Sequence, residues 1–413
     1  MDVKRYLVDR KEEIRDIYVK DRIVKIDENV NFINSIIGPR RAGKSYFLYY
    51  FIKAHALNDE DYAFVNFAEI DASPLEVPHL HNEIYGKFPR YLFFDEIQEL
   101  ENWKRPIYAL YEKKKYIIFI TGSNSRFLSK EIATELRGRT KTTVMYPFSF
   151  AEILNTENEK VEKIISSYTE SKLKHIIDEH MKRGFFPDIV LRNIVPSSFF
   201  AEYIDLVIHK DIEERYGLRN RAALELFIRS AIASHTKQFS TNKVYNALKS
   251  KGVKVGKDTL YNFQRYLEDV LLCFFLRKYD FSYRKMELSI PKAFLVDNGL
   301  YTYVERKEDK GKLMEGLVFS ELIKSGYVPN RNLFYFSDRN GEIDFVLVDN
   351  MKVEECIQVT YAAGKDEIER REIKALEKAS EELRCRKKTV ITWDYEAEGD
   401  IYFIPLWKWL LEK

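Results

Sequence analysis

Residues 38 to 45 read Gly38-Pro39-Arg40-Arg41-Ala42-Gly43-Lys44-Ser45, the full spacing G-x-x-x-x-G-K-[ST]. Each fixed position in that spacing has a separate physical task. Gly38 and Gly43 let the backbone turn tightly, so that its N–H groups converge on one point. Lys44 is placed to neutralise β- and γ-phosphate charge, and the Ser45 hydroxyl to hold Mg²⁺. The flanks suit this reading. The apolar run 32–37 (Phe-Ile-Asn-Ser-Ile-Ile) predicts a buried strand, and 45–53 predicts a helix whose N-terminus faces the anion. Strand, glycine loop and helix together constrain the fold to an α/β nucleotide-binding unit, with all eight loop residues as candidate cofactor contacts.

The 413 residues exceed what a single hydrophobic core comfortably supports, so several domains are expected. Lys and Arg (67) nearly cancel Asp and Glu (65), so any basic surface must be local. Cys273, Cys356 and Cys385 are far apart and read as neither a disulfide framework nor a zinc site, which suits a reducing cytosol. The start of the chain has no apolar leader, and the longest apolar stretch, 270–276, is too short to span a bilayer. A cytoplasmic protein without a membrane partner is the expectation.

Four further apolar runs, 62–67, 91–94, 116–120 and 142–145, predict a parallel sheet covered on both faces, with the site at the carboxyl ends of the strands. The run 91–94 ends in Asp95-Glu96. With a phosphate loop upstream, four apolar residues followed by Asp-Glu form a Walker B pattern. Asp95 then orders the Mg²⁺ shell, and Glu96 orients or deprotonates the attacking water. The strand at 116–120 leads into Thr121-Gly122-Ser123-Asn124, where Ser123 or Asn124 is the candidate sensor of the γ-phosphate; a simple Gly-Ser-Asn turn explains the same residues. Arg139, or second Arg137, is the candidate guanidinium for transition-state charge, from this chain or from a neighbouring copy. A solvated arginine is the alternative.

The segments G-P-R-R-A-G-K-S, F-F-D-E-I-Q-E-L, F-I-T-G-S-N-S, L-R-G-R-T and Y-P-F-S-F-A-E-I-L closely resemble the prokaryotic AAA-type ATPases. Within them the chain is similar to the group, abundant in archaea, that carries a C-terminal restriction-nuclease-like domain. The match is strong over about residues 20 to 155. It implies Mg²⁺ and water roles for Asp95 and Glu96, a family Gly-Arg pair at Gly138 and Arg139, and assembly of several copies. Gln98 matches as well, without an evident physical role. The resemblance also implies a helical lid over the nucleotide, with Arg183-Gly184-Phe185-Phe186-Pro187-Asp188 where relatives have a Gly-Gly-Phe-Pro turn.

From 222 the pattern becomes three helices followed by two apolar segments, 271–276 and 293–296, and resembles a winged helix-turn-helix. Ser240 and Asp258 are the expected helix caps. Val244, Tyr245 and Leu248 are expected inside. Thr259, Tyr261, Asn262, Gln264 and Arg265 are expected outside, where such side chains suit base edges and phosphates. With Lys249 near the end of the second helix and Lys251, Lys254 and Lys257 in the turn after it, double-stranded DNA is the candidate partner; packing between domains is the alternative. Lys254, Lys257, Tyr261, Asn262 and Arg265 are the DNA-contact candidates.

The last part returns to α/β alternation. A helical Glu315, a strand Asp344 and a third motif on the next strand follow the order of restriction-endonuclease-like folds. Gln358 stands where that pattern has a carboxylate, and Thr360 where it has a lysine. An amide oxygen ligates a hard cation weakly, and threonine supplies no positive charge, so a degenerate site is expected.

The expected fold is therefore α/β. It comprises an N-terminal segment (1–20), a P-loop AAA-type parallel-sheet ATPase core (21–150), a helical lid (151–221), a winged helix-turn-helix (222–282) and a restriction-nuclease-like α/β domain (283–413). The expected function is binding and hydrolysis of ATP with Mg²⁺, coupled to DNA or to a partner and in a homo-oligomer. The alternatives are a nucleotide-sensing DNA-binding regulator without turnover and, third, a metal-dependent nuclease.

Overall fold

A computed structural model describes the chain except residues 1, 25, 27, 123–137, 158, 160–163, 219, 307 and 340. The chain forms two compact units, residues 1–147 with 269–271 and residues 148–268 with 272–413.

The first unit is built on five strands, β1 (Ile33–Ile37), β2 (Tyr62–Asn66), β3 (Tyr91–Asp95), β4 (Ile117–Gly122) and β5 (Thr140–Val144). All pairings are parallel, in the order β2-β3-β4-β1-β5. Alternation along each strand sends residues to opposite faces. Ile37, Val65, Leu92, Phe94, Ile118 and Ile120 enter one core, while Ile36, Phe64, Phe93, Ile117 and Phe119 enter the other. Burial on both faces explains the mostly apolar β2, β3 and β4, whereas β5 (Thr-Lys-Thr-Thr-Val), at the edge of the sheet, is largely exposed and departs from the expected covered run at 142–145. The helices α1 (Val3–Asp16), α2 (Lys44–Ala54), α3 (Val77–Tyr85) and α4 (Lys104–Glu112) belong to this unit. The N-terminal segment is part of the first unit. Its helix α1, capped by Asp2, buries Tyr6 and Leu7 in the first core and Ile14 in the second.

In the second unit, the helices Ser167–Arg183, Pro187–Arg192 and Pro196–Leu206 are followed by Arg221–Ala233, Thr241–Ser250 and Lys257–Asp269. Two short strands, β6 (Cys273–Leu276) and β7 (Lys292–Leu295), then pair antiparallel. The division at residue 282 falls between these paired strands. A second sheet has the order β12-β11-β10-β9-β8, from β8 (Leu333–Ser337), β9 (Glu342–Asp349), β10 (Lys352–Thr360), β11 (Lys387–Thr392) and β12 (Tyr402–Pro405). Strand β9 runs antiparallel to β8 and to β10, whereas β10, β11 and β12 are mutually parallel. The helix Lys310–Lys324, which carries Glu315, buries residues around its whole circumference.

The Gly184 turn has a definite geometry despite Arg183 in place of a second glycine. Gly184 takes a φ of +101°, and the fully buried Asp297 carboxylate accepts from the backbone N–H of Phe185 (2.6 Å) and Gly299 (2.8 Å). Arg183 turns outward to Glu179 at 2.6 Å.

Candidate nucleotide site

The loop after β1 joins α2 through Gly43, whose φ of +91° favours glycine. Gly38 is required for a different reason. A Cβ there would lie 2.1 Å from the carbonyl oxygen of Met145. Arg41 also takes positive φ, 59°, while Ala42 and Pro39 are buried and Arg40 and Arg41 half-buried. Lys44 is 5% exposed, and its ammonium donates to the carbonyls of Pro39 (2.9 Å) and Gly38 (3.1 Å), which arches the loop over its own lysine. Arg22 braces it from the N-terminal side, donating to the carbonyl oxygens of Ala42 and Tyr146, both at 2.8 Å.

Because the sheet is parallel, β3 delivers Asp95 to the edge where β1 delivers the loop, with β4 between them. Asp95 is fully buried. Burial, and then the charge of Glu96, push its carboxyl up to about 6, while the Thr121 and Ser45 hydroxyls and the Lys44 ammonium pull it down. The two acidic neighbours and the loop lysine and serine therefore form one electrostatic site. Thr121 at the tip of β4 ties it together. Its hydroxyl donates to Asp95 Oδ1 and accepts from the Glu96 N–H at 3.0 Å. Asp95 Oδ2 is buried without a hydrogen-bond partner among the described residues. Glu96 takes a left-handed conformation (φ 49°, ψ 48°), which turns its side chain away from the strand direction. Its carboxylate accepts from the Gln98 amide. Thr121, Gln98 and Arg22 are the site residues that motif reading missed. Gln98 was visible as a matching letter, and Thr121 lies two residues before the expected sensor at Ser123.

Other predicted residues lie elsewhere. Arg139 precedes β5, and its carbonyl accepts from Ile33, the first residue of β1. About 16 Å of strand, five residues at roughly 3.3 Å, separates it from the loop at the far end of β1. Its guanidinium binds Glu112 and the Tyr108 hydroxyl and sits over the Tyr108 and Tyr111 rings. The strand direction therefore sets Arg139 at the edge of the sheet opposite the phosphate loop of its own chain. Ser123, Asn124 and Arg137 lie outside the described residues.

In the second unit, Ser240 caps its helix as expected, and the third helix begins at Lys257, one residue before Asp258, which stands in its first turn. Lys254, Lys257, Tyr261 and Arg265 are exposed, and Asn262 is half-buried and accepts from Arg265 at 3.2 Å. Gln264 is not part of that face, since it accepts from the Thr241 hydroxyl at 2.8 Å. Val244 and Tyr245 are only half-buried.

Glu315 and Asp344 do come together, with Glu342, around a cation that the sequence did not predict, while Gln358 is buried on β10 with its Oε1 lacking a hydrogen-bond partner among the described residues. The Lys292 ammonium donates to Glu315 Oε1 (2.6 Å) and Asp344 Oδ1 (3.1 Å) and pairs with Glu342 Oε1 (2.8 Å). Burial, then the Asp344 charge, push the Glu315 carboxyl up to about 8 against the pull of Lys292. Burial opposes the charge on Lys292, but the three carboxylates hold its pKa well above the ordinary lysine range.

Comparison with known proteins agrees with the first unit. Residues 30–154 match the family model described as AAA domain, residues 174–311 a domain of unknown function (DUF8612) and residues 310–409 another (DUF4143). An uncharacterized protein of Methanocaldococcus jannaschii, MJ1544, is 34% identical over 424 residues, covering 98% of this chain and 94% of that one. An uncharacterized protein of Haemophilus influenzae is 28% identical over 340 residues, covering 78% of this chain and 83% of its own. Among solved structures, the Walker-type ATPase PABY2304 of Pyrococcus abyssi matches at 16% identity and a TM-score of 0.43, over 71% of this chain and 99% of that one. The ORC1 protein of Aeropyrum pernix, in complex with DNA, matches at 10% and 0.29, over 71% and 88%. Structural likeness at these values carries no argument about activity. Among the described residues no helix is long and apolar enough to cross a membrane. With an AAA domain built on a P-loop and an Asp-Glu strand end, this chain is of the AAA type and belongs to the same family as MJ1544.

Proposed function

We propose that this protein binds ATP at the Gly38–Ser45 loop and hydrolyses it, with Glu96 as the base that orients the attacking water. The observation that carries this reading is the convergence of Lys44, Ser45, Asp95 and Glu96 on one edge of a parallel sheet. Lys44 would exchange its two backbone carbonyls for phosphate oxygens. Gln98 holds the Glu96 carboxylate, and Thr121 holds its backbone, so the base is positioned before substrate arrives.

The residues also fit Mg²⁺. Asp95 Oδ2 is a buried oxygen with no hydrogen-bond partner among the described residues, and Ser45 stands beside the carboxyl. Ser45 and Asp95 would hold the ion, whose chemistry there is neutralisation of phosphate charge. An arginine acting on the γ-phosphate has to come from a neighbouring copy if it is Arg139, and this favours a homo-oligomer.

The nucleotide state would govern contacts to double-stranded DNA or to a partner through the winged-helix-like segment. Support comes from the exposed Lys254, Lys257, Tyr261 and Arg265 on one helix and its preceding turn. A nucleotide-sensing DNA-binding regulator without turnover is the second reading, and it predicts ATP binding with only background phosphate release. The nuclease-like reading of the last domain is retained for its fold alone, since Gln358 and Thr360 replace two of the groups that cleavage needs.

Phosphate release measured for the wild type and Lys44→Ala, with and without double-stranded DNA, tests the proposal. Mg²⁺-dependent turnover that Lys44→Ala abolishes and DNA alters is expected. Background turnover in every arm, with ATP still bound by the wild type, would replace the proposal with the regulator.

A further inference from the structure

We infer that the Lys292 ammonium is the resident cation of an acidic site in the C-terminal sheet, in the place that a divalent ion would otherwise take. The inference is independent of the ATPase reading, because every residue in it lies in the second unit.

An ammonium has three donors. Three carboxylate oxygens meet Lys292 Nζ, from Glu315 at 2.6 Å, Glu342 at 2.8 Å and Asp344 at 3.1 Å. The lysine is 1% exposed, and it reaches the cluster from β7, which is not a strand of that sheet. The remaining Asp344 oxygen accepts from the Val359 N–H at 2.9 Å, which fixes the carboxylate.

A second observation points to a cation ligand. Gln358 is more than nine-tenths buried, and its Oε1 has no hydrogen-bond partner among the described residues. The antiparallel register pairs Ile357 with Phe345, so the next pair is Gln358 with Asp344, and both side chains face the same side of the sheet. Three carboxylates and an amide oxygen are the hard oxygen donors that Mg²⁺, Mn²⁺ and Ca²⁺ take. Among the described residues no group of three acidic, His or Cys side chains is disposed to hold a metal ion. A divalent ion and the ammonium exclude each other there by charge as well as by volume.

The probe is Mn²⁺ added to the nucleotide-free full-length protein, read by electron paramagnetic resonance and by thermal melting. The wild type should take up no Mn²⁺ that Asp344→Asn removes, and its melting temperature should not respond. Lys292→Ala should melt lower in chelator and rise with Mn²⁺, and adding Asp344→Asn should abolish both the uptake and the rise. If Lys292→Ala alone does not fold, Lys292→Ala with Glu315→Gln removes one charge of each sign and is read the same way. Asp344-dependent Mn²⁺ in the wild type overturns the inference. So does a folded lysine variant that ignores Mn²⁺, or failure of both variants to fold in its presence, since either leaves Lys292 as a purely structural ion pair.

Discussion

Asp95→Asn should make the nucleotide-free protein more stable at alkaline pH while weakening its response to ATP. The Asp95 carboxyl is moved from the ordinary 3.8 to about 6, first by burial and then by Glu96. A carboxyl with a higher pKa folded than unfolded binds protons more tightly in the folded state. Folding is therefore favoured at low pH, and the penalty grows from about pH 4 to pH 6 and stays constant above. At about 1.4 kcal/mol per pH unit the penalty is on the order of 3 kcal/mol. Asparagine removes the charge and keeps an oxygen for the Thr121 hydroxyl, but buries an amide N–H₂ in place of Oδ2, costing about 1–2 kcal/mol. The net gain is about 1–2 kcal/mol, or roughly 2–8 °C in the melting temperature of a unit of this size. Scanning calorimetry in chelator at pH 8 and pH 5 measures it. The Asn variant should melt higher at pH 8, the difference should shrink towards pH 5, and MgATP should stabilise the wild type more than the variant. A difference that does not change between the two pH values would refute the reasoning.

Two other perturbations probe the second unit. Gly184→Ala places a Cβ 2.5 Å from Asp297 Oδ1 at a φ of +101°, and should destabilise that unit by about 2–4 kcal/mol; an unchanged melt would show that the turn yields freely. Lys254→Ala with Lys257→Ala should lower the salt slope of DNA affinity by about 1.8, two phosphate contacts at roughly 0.9 each. A mobility shift unaffected by both changes removes these lysines from the interface.

The nucleotide site was legible in the sequence because its parts are local. Gly38 to Ser45 is one continuous turn, and Asp95-Glu96 closes one apolar strand, so spacing alone places them on one edge of a parallel sheet. What escaped depends on contacts between distant residues or on strand direction. Thr121 is an ordinary strand residue until β3 and β4 pair in register and bring its hydroxyl to Asp95. Arg139 follows a Gly at a promising place in the chain, yet it enters β5 at the amino end and is held at Glu112. Lys292 is 23 residues from Glu315 and 52 from Asp344, and no motif spacing covers a lysine that arrives from another strand pair. The acidic pattern of the last domain is legible in the sequence, but local spacing points to Thr360 for its cation, whereas the cation arrives from β7.

The most direct test of the central claim is a comparison of ATP binding and turnover in the wild type and Glu96→Gln. Glutamine is the same size and lacks the basic carboxylate. Lys44, Ser45 and Asp95 are untouched, so ATP affinity should be retained while steady-state phosphate release falls by about 10²-fold or more. Wild-type-like turnover in Glu96→Gln would contradict the account, as would a failure of the wild type itself to bind ATP with Mg²⁺ by calorimetry.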